Sequence, residues 1–279
     1  NPGRFEGMMT PIVFFGDTSL VGLGKDLIFE VEPPRQMVYL KFLPAFDDAL
    51  VLFGLAVERN VIVQRVIDVL TRDYQGINIG FATTPPEGYA EYAIVEIGAE
   101  DPNGSGLFGL DNTAGKDVNN LRFDDVIGGF NADTRAQGYA AYGGIFVAEL
   151  LNLSPRLSQS PLSSDRFDDV FASFALPLGG TPAEPGEAIG GGARAAAVQA
   201  AAIILGSLIG NTVGHEIGHS LGLANIQGEF HNIGDSGPYI MDAGVYRPFE
   251  ERAEIDGMGP SVFSPTNREY LEAVLPLSL

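Results

Sequence analysis

The chain has 279 residues, 45% hydrophobic and 19% charged, enough for one large domain or two lobes around a sizeable core. Its formal net charge of −20, from 36 acidic against 16 basic residues, disfavours nucleic acid and anionic membrane as partners. Cysteine is absent, which excludes disulfides, thiolate metal sites and a cysteine nucleophile.

Such acidity suits an extracellular protein that recruits divalent cations, one adapted to salty surroundings, or simply a surface kept soluble. No signal peptide is visible, and the start at Asn1-Pro-Gly reads as a cut from a longer precursor.

Residues 1–50 read as strand and loop. Met8 to Phe15 and Leu27 to Val31 are short apolar runs, Pro33-Pro34 punctuates, and Met37 to Leu43 is a buried strand. A helix is predicted over Val57 to Tyr74, with Val63, Val66, Ile67 and Leu70 inward and Arg59, Gln64, Arg65, Asp68 and Arg72 in water. Ile77 to Phe81 is the next strand, and the alternation of Glu91 to Ile97 marks a half-buried one. This order implies an α/β (α+β) fold with a partly parallel, twisted mixed sheet.

Asp101-Pro-Asn103-Gly-Ser105-Gly106 matches the first half of a calcium loop, and Asp111 and neighbouring Asp and Asn residues add oxygen donors. Asn112 stands where a closing Glu would, so a plain turn with a solvated polar loop competes with Ca2+. Tyr139 to Val147 returns to the sheet. Residues 153–192 look like an insertion, with a short helix from Asp165 to Phe174 and glycine-rich linker material after it, placed as a surface loop or a lid.

Ala195 to Gly214 carries no charge and is long enough to span a bilayer, with glycine at every fourth residue from Gly206 to Gly222. Alanine dominates its first half, Gln199, Asn211 and Thr212 interrupt it, and it runs into a polar turn, so no membrane span is expected. It reads instead as a central buried helix whose glycine stripe allows close packing against the sheet. Ile203, Leu208, Val213, Ile217 and Leu221 pack beside that stripe.

The helix ends in His215-Glu216-Ile-Gly-His219, which puts two imidazoles one turn apart on one face, with Glu216 near enough to reach a metal-held water. Only three histidines exist, and the third, His231, follows twelve residues later. Two imidazoles leave a tetrahedral Zn2+ one protein ligand short of the usual catalytic set. Zinc suits nitrogen donors in a chain without thiolate. Gly222 can turn left-handed and swing the chain back under the metal.

His215-Glu216-Ile-Gly-His219-Ser-Leu-Gly222-Leu-Ala-Asn225, followed by Tyr239-Ile-Met241-Asp, resembles the metzincin zinc endopeptidases over about thirty residues. The resemblance implies two lobes: residues 1–222 with sheet, backing helix and active-site helix, and residues 223–279 with the third ligand, a Met-turn at Met241 and a final helix from Ser264-Pro265. The family's third-ligand position falls on Asn225, a poor zinc ligand. His231 is the replacement, with Asn225, Asp235 or a carboxylate of residues 249–254 as alternatives, the last being similar to gluzincins. Asn225 and Asp235 otherwise support the site from behind. A tyrosine two residues past the Met-turn is replaced by Ala243, so its role is not carried over.

The expected activity is zinc-dependent hydrolysis of protein or peptide substrates with Glu216 as general base, by a secreted monomer. An inactive zinc-binding module of a larger secreted or surface protein and a hydrolase of non-peptide amides stay open. Residues Val245 to Phe249 are expected in the pocket wall.

Overall fold

The computed structural model describes residues 3–115, 123–130, 138, 140–223, 231–232 and 237–277. Its first four strands, β1 (Gly3–Met9), β2 (Ile12–Phe15), β3 (Thr18–Val21) and β4 (Lys25–Val31), make one hairpin arm. β1 pairs antiparallel with β4 from Gly3↔Val31 to Met9↔Lys25, and β2 pairs with β3 from Ile12↔Val21 to Phe15↔Thr18. All four strands are exposed along their length. The pleat puts Phe5, Met9, Leu27, Phe29 and Val31 on one side and Arg4, Glu6, Asp26 and Glu30 on the other. Phe5 and Phe29 stack directly across the ladder at 5.4 Å.

The main sheet collects β5 (Gln36–Phe42), β6 (Ile79–Ala82), β7 (Ala93–Gly98), β8 (Gly109–Leu110), β9 (Val126–Ile127), β10 (Gly129–Phe130) and β11 (Tyr142–Phe146). Its order is β10-β11-β7-β5-β6, with β8 added to β11 and β9 to β7. β5 runs parallel to β6 and β7, and β7 parallel to β9 and β11, while β8 and β10 are antiparallel to β11. The architecture is therefore mixed α/β with a mixed sheet. β7 alternates buried and half-buried residues, as its sequence requires.

Among the described residues, six α-helices pack around this sheet: α1 (Pro44–Leu52), α2 (Arg59–Asp73), α3 (Asp165–Phe171), α4 (Ala193–Ser220), α5 (Phe249–Ala253) and α6 (Pro265–Val274). α2 buries Ile62, Val66, Val69, Leu70 and Asp73, whereas Val63 and Ile67 are only half buried. Arg65 and Arg72, expected in water, instead turn inward to Glu254 at 2.7 Å each. α2 lies against a second helix as well as the sheet core, so its buried stripe is wider than periodicity alone indicates.

That second helix is α4. Gly206, Gly210 and Gly214 of the glycine stripe meet α2 rather than the sheet, while Gly218 meets Met241. A methyl on Gly206 would sit 2.5 Å from the Arg65 Cβ and 2.9 Å from the Ile62 carbonyl, and one on Gly210 would sit 2.8 Å from the Val69 Cβ. Close approach of two backbones is thus what the missing side chains permit, offsetting about 1 kcal/mol of helix propensity per glycine. Leu208, Val213, Ile217 and Leu221 are buried as expected, but Ile203 is exposed. α4 is the one described helix long and apolar enough to cross a membrane, and 72% of its most apolar window is buried inside the protein.

Residues 153–192 are not loose linker. Phe167, Phe171 and Phe174 are fully buried, and Ala175, Leu178, Ala183 and Ala188 join the same core. Three phenylalanines remove more apolar surface than the glycines and prolines around them can leave in solvent. α6 begins as its sequence indicates: Ser264 Oγ accepts from the Asn267 N–H at 3.3 Å, and Pro265 fills the first turn. Leu271 and Leu275 then bury against a single apolar cluster that runs from Val38 to Leu275.

Candidate metal centre

The last turns of α4 carry His215 and His219, whose Nε2 atoms lie 3.1 Å apart. α4 stops because Gly222 adopts φ +92°, with the Gly222 N–H on the His219 carbonyl and the Leu223 N–H on the Gly218 carbonyl. This is the left-handed helix end expected of that glycine. His231 stacks over His215, ring centres 5.3 Å apart, and meets His219 edge-on at 5.1 Å. One ligand atom from each of the three rings lies within 4.8 Å of the others. Among the described residues, no other group of three imidazoles or carboxylates converges in this way.

The donor set fits a divalent cation. The Ile240 carbonyl can only accept, so His215 donates to it from Nδ1 at 2.6 Å and keeps the Nε2 lone pair for a metal. Zinc–nitrogen bonds of 2.0–2.1 Å in a tetrahedron separate two ligand nitrogens by about 3.3 Å, close to the spacing of the two Nε2 atoms. Burial, then the neighbouring rings, hold His215 well below the usual imidazole range; burial and His231 take His219 down to about 3. Burial also lowers His231. All three rings are therefore neutral near pH 7, the form that binds metals.

Glu216 is 6% exposed and sits between α4 and β8. Its Oε2 accepts from the Asp111 N–H at 2.8 Å, and a methyl on Gly109 would strike its Oε1 at 2.8 Å. Burial first, then the Asp111 charge, push its carboxyl up to about 8. Met241 is buried with its Sδ against Gly218, and its carbonyl accepts from the Asn232 N–H at 3.0 Å, tying it to the residue after His231. Met241 thus packs against the helical turn that joins His215 and His219.

The carboxylate alternatives for a third ligand are occupied elsewhere. Glu250 accepts from Ser164 Oγ, and Glu251 pairs with the fully buried Arg247 at 3.0 Å. Glu254, at φ +58°, accepts from Arg65, Arg72 and Asn211. Asn225 and Asp235 lie outside the described residues. Phe249 is also a correction: it packs against Phe167 in the core rather than lining the cleft wall, which Ala243, Gly244 and Val245 supply.

The candidate calcium donors are arranged as a turn. Asp101 Oδ1 accepts from the Asn103 backbone and side-chain N–H groups at 2.8 Å, and Oδ2 from the Ser105 N–H at 2.8 Å. Burial opposes these bonds, yet they hold its carboxyl below the usual range. Asn103 exchanges two bonds with the Tyr142 backbone at 2.9 Å, fastening this turn to β11. Asp111 is drawn to the cleft instead, where its carboxylate accepts from Thr113 N–H at 2.9 Å. Within residues 101–105 the Asp101 carboxylate is thus met by N–H groups of its own turn.

All of this surrounds a cleft of about 560 Å³, lined by the three histidines, Glu216, Asp111, apolar Leu110, Leu162, Leu223 and Val245, and Arg252. Sequence reasoning missed the grip of Asp111 N–H on Glu216 and the presence of Arg252. A two-residue strand and one arginine in a charged run carry no periodic signal that could have located either. Compared with protein-family models, curated proteins and solved structures, the chain matches none.

Proposed function

We propose that this chain is a zinc-dependent endopeptidase that hydrolyses peptide bonds with Glu216 as general base, as its resemblance to metzincins implies. The observation that carries the proposal is the convergence of three neutral imidazoles and a buried carboxylate on one cleft. A cleft of that volume, mostly apolar with a few convergent polar groups, suits a peptide segment.

His215, His219 and His231 would hold the ion, and zinc there would supply a Lewis acid that acidifies water and polarises a carbonyl. Beside a cation held by the three imidazoles, which would offset the burial that raises its carboxyl, Glu216 stays ionised, takes the proton from the attacking water and returns it to the leaving amine. The Asp111 N–H holds Oε2, which leaves Oε1 for that proton. Gly109 keeps the space against Oε1 clear of any side chain. The Ile240 carbonyl keeps the His215 ring in one tautomer and one orientation.

Glu216→Gln is expected to abolish cleavage of casein or gelatin while zinc stays near one ion per chain. Retained turnover would refute the assigned base. A panel of peptides and non-peptide amides, with and without chelator, separates peptidase from other amide hydrolysis.

A further inference from the structure

Two arginines are buried beside the cleft, and they differ in one respect. Arg247 is 0% exposed and fully engaged: Nε on Glu251, Nη1 on the Ile240 carbonyl, and Nη2 on Asn211 Oδ1 and Ser261 Oγ. That is how a structural buried guanidinium looks, with its charge cancelled and its donors used. Arg252 is 5% exposed, and among the described residues no carboxylate pairs with it. Its Nε donates to the Arg247 carbonyl at 3.0 Å and its Nη2 to the Gly244 carbonyl at 3.2 Å. Its guanidinium carbon lies 5.5 Å from the centre of the Phe108 ring. Among the described residues Nη1 has no hydrogen-bond partner and is not sealed from solvent, and the residue lines the cleft.

We infer that Arg252 is the specificity residue of this cleft and that it reads a carboxylate on the substrate. The occupant is a peptide bearing an acidic side chain, or a peptide chain end, placed so that its carboxylate reaches the open face of the guanidinium. This rests on the peptidase proposal for the nature of the ligand, but not for the charge it must carry. Burial of a cation with no carboxylate in contact is costly even with the Glu251 and Glu216 charges nearby, and carboxylate is a partner whose geometry matches the guanidinium fork. The overall charge of −20 does not contradict this, because the donors in contact with a ligand decide its recognition once water is displaced. Two protein carboxylates also line the cleft, Asp111 and Glu216. The first accepts from Thr113 N–H and the second from Asp111 N–H, and neither is bonded to Arg252. Burial, then the Arg247 charge, bring Arg252 down to about 9, the cost that a bound carboxylate would relieve.

The test measures binding rather than turnover, on the full zinc-loaded chain carrying Glu216→Gln. Blocked hexapeptides of one sequence, with Glu or Gln at each position in turn, are titrated by calorimetry, and a parallel set has a free instead of an amidated C-terminus. At one position Glu should bind at least tenfold tighter than Gln, about 1.4 kcal/mol. A gap seen only with free C-termini would identify the chain end as the carboxylate read. Arg252→Gln should close the gap, and Arg252→Lys, which keeps a cation with fewer bonds, should retain part of it. Equal binding of Glu and Gln peptides with no gain from a free terminus overturns the inference, whether or not Arg252→Gln folds. A gap that survives in folded Arg252→Gln overturns it too. If the wild-type chain cleaves no peptide yet the gap is present, the hydrolytic proposal falls and this one stands.

Discussion

Gly210→Ala and Gly214→Ala make the same chemical change one turn apart in α4, and the packing predicts opposite outcomes. Each gains about 1 kcal/mol of helix propensity, a gain that cancels when the two variants are compared. At Gly214 the added methyl meets nothing nearer than Leu70 Cδ2 at 3.5 Å, an ordinary contact, so stability should rise by up to about 1 kcal/mol. At Gly210 it meets Val69 Cβ, Cγ1 and Cγ2 at 2.8, 3.0 and 3.3 Å. Val69 is β-branched on a helix, so its methyls cannot rotate away and α2 itself must shift. Overpacking of that kind costs about 1–3 kcal/mol, which should leave Gly210→Ala less stable than Gly214→Ala by about that amount. Urea denaturation followed by helical circular dichroism gives both values. Gly210→Ala with Val69→Ala should recover part of the loss, since the new methyl fills space the valine vacates. Equal stabilisation by both substitutions would refute the helix-on-helix account of the stripe.

Glu251→Gln leaves Arg247 buried without its counter-charge and should cost about 3–5 kcal/mol in the same denaturation assay; a loss below about 1 kcal/mol would show that the pair stabilises little. Burial lifts the Asp73 carboxyl to about 6 despite its ion pair with Arg72. A raised folded-state value means its contribution is complete below about pH 4 and is lost as pH rises through about 6, by about 3 kcal/mol. Asp73→Asn should remove that slope from a pH series of wild-type against variant stability, and parallel curves would show the group does not titrate between the two states. His231→Ala should weaken zinc binding by more than about a hundredfold in a competition titration, beyond what an outer partner accounts for. An unchanged affinity would exclude the ring as a ligand.

The parts of this fold that were legible in sequence are those with a period. α2, α6 and β7 stand close to where their apolar spacing puts them, and the helical histidine pair lies on one face because a turn is four residues. The hairpin arm carried a signal that isolated-strand reasoning passed over: Gly16-Asp17 between Phe15 and Thr18 is a two-residue turn, with Gly16 at φ +57°. The glycine stripe announced a close neighbour but not which one, since smoothness identifies a surface and not its partner. Residues 179–192 read as linker because glycine and proline outnumber apolar residues there, although Ala183 and Ala188 are buried in the same core as Phe167, Phe171 and Phe174 just before them. Arg252 was illegible for a different reason. In Glu250-Glu251-Arg252-Ala253-Glu254 it looks like one more solvated charge, and only the tertiary arrangement shows that Arg247 takes Glu251 away from it.

Glu254 acts as a rivet. It fastens the backing helix through Arg65 and Arg72 and the central helix through Asn211, from a backbone just beyond the residues that line the cleft. Prising that wall outward would pull three half-buried charges from their partners, so this side of the cleft is braced against movement. One carboxylate thereby couples the backing helix, the central helix and the segment beside Arg252 into a single brace.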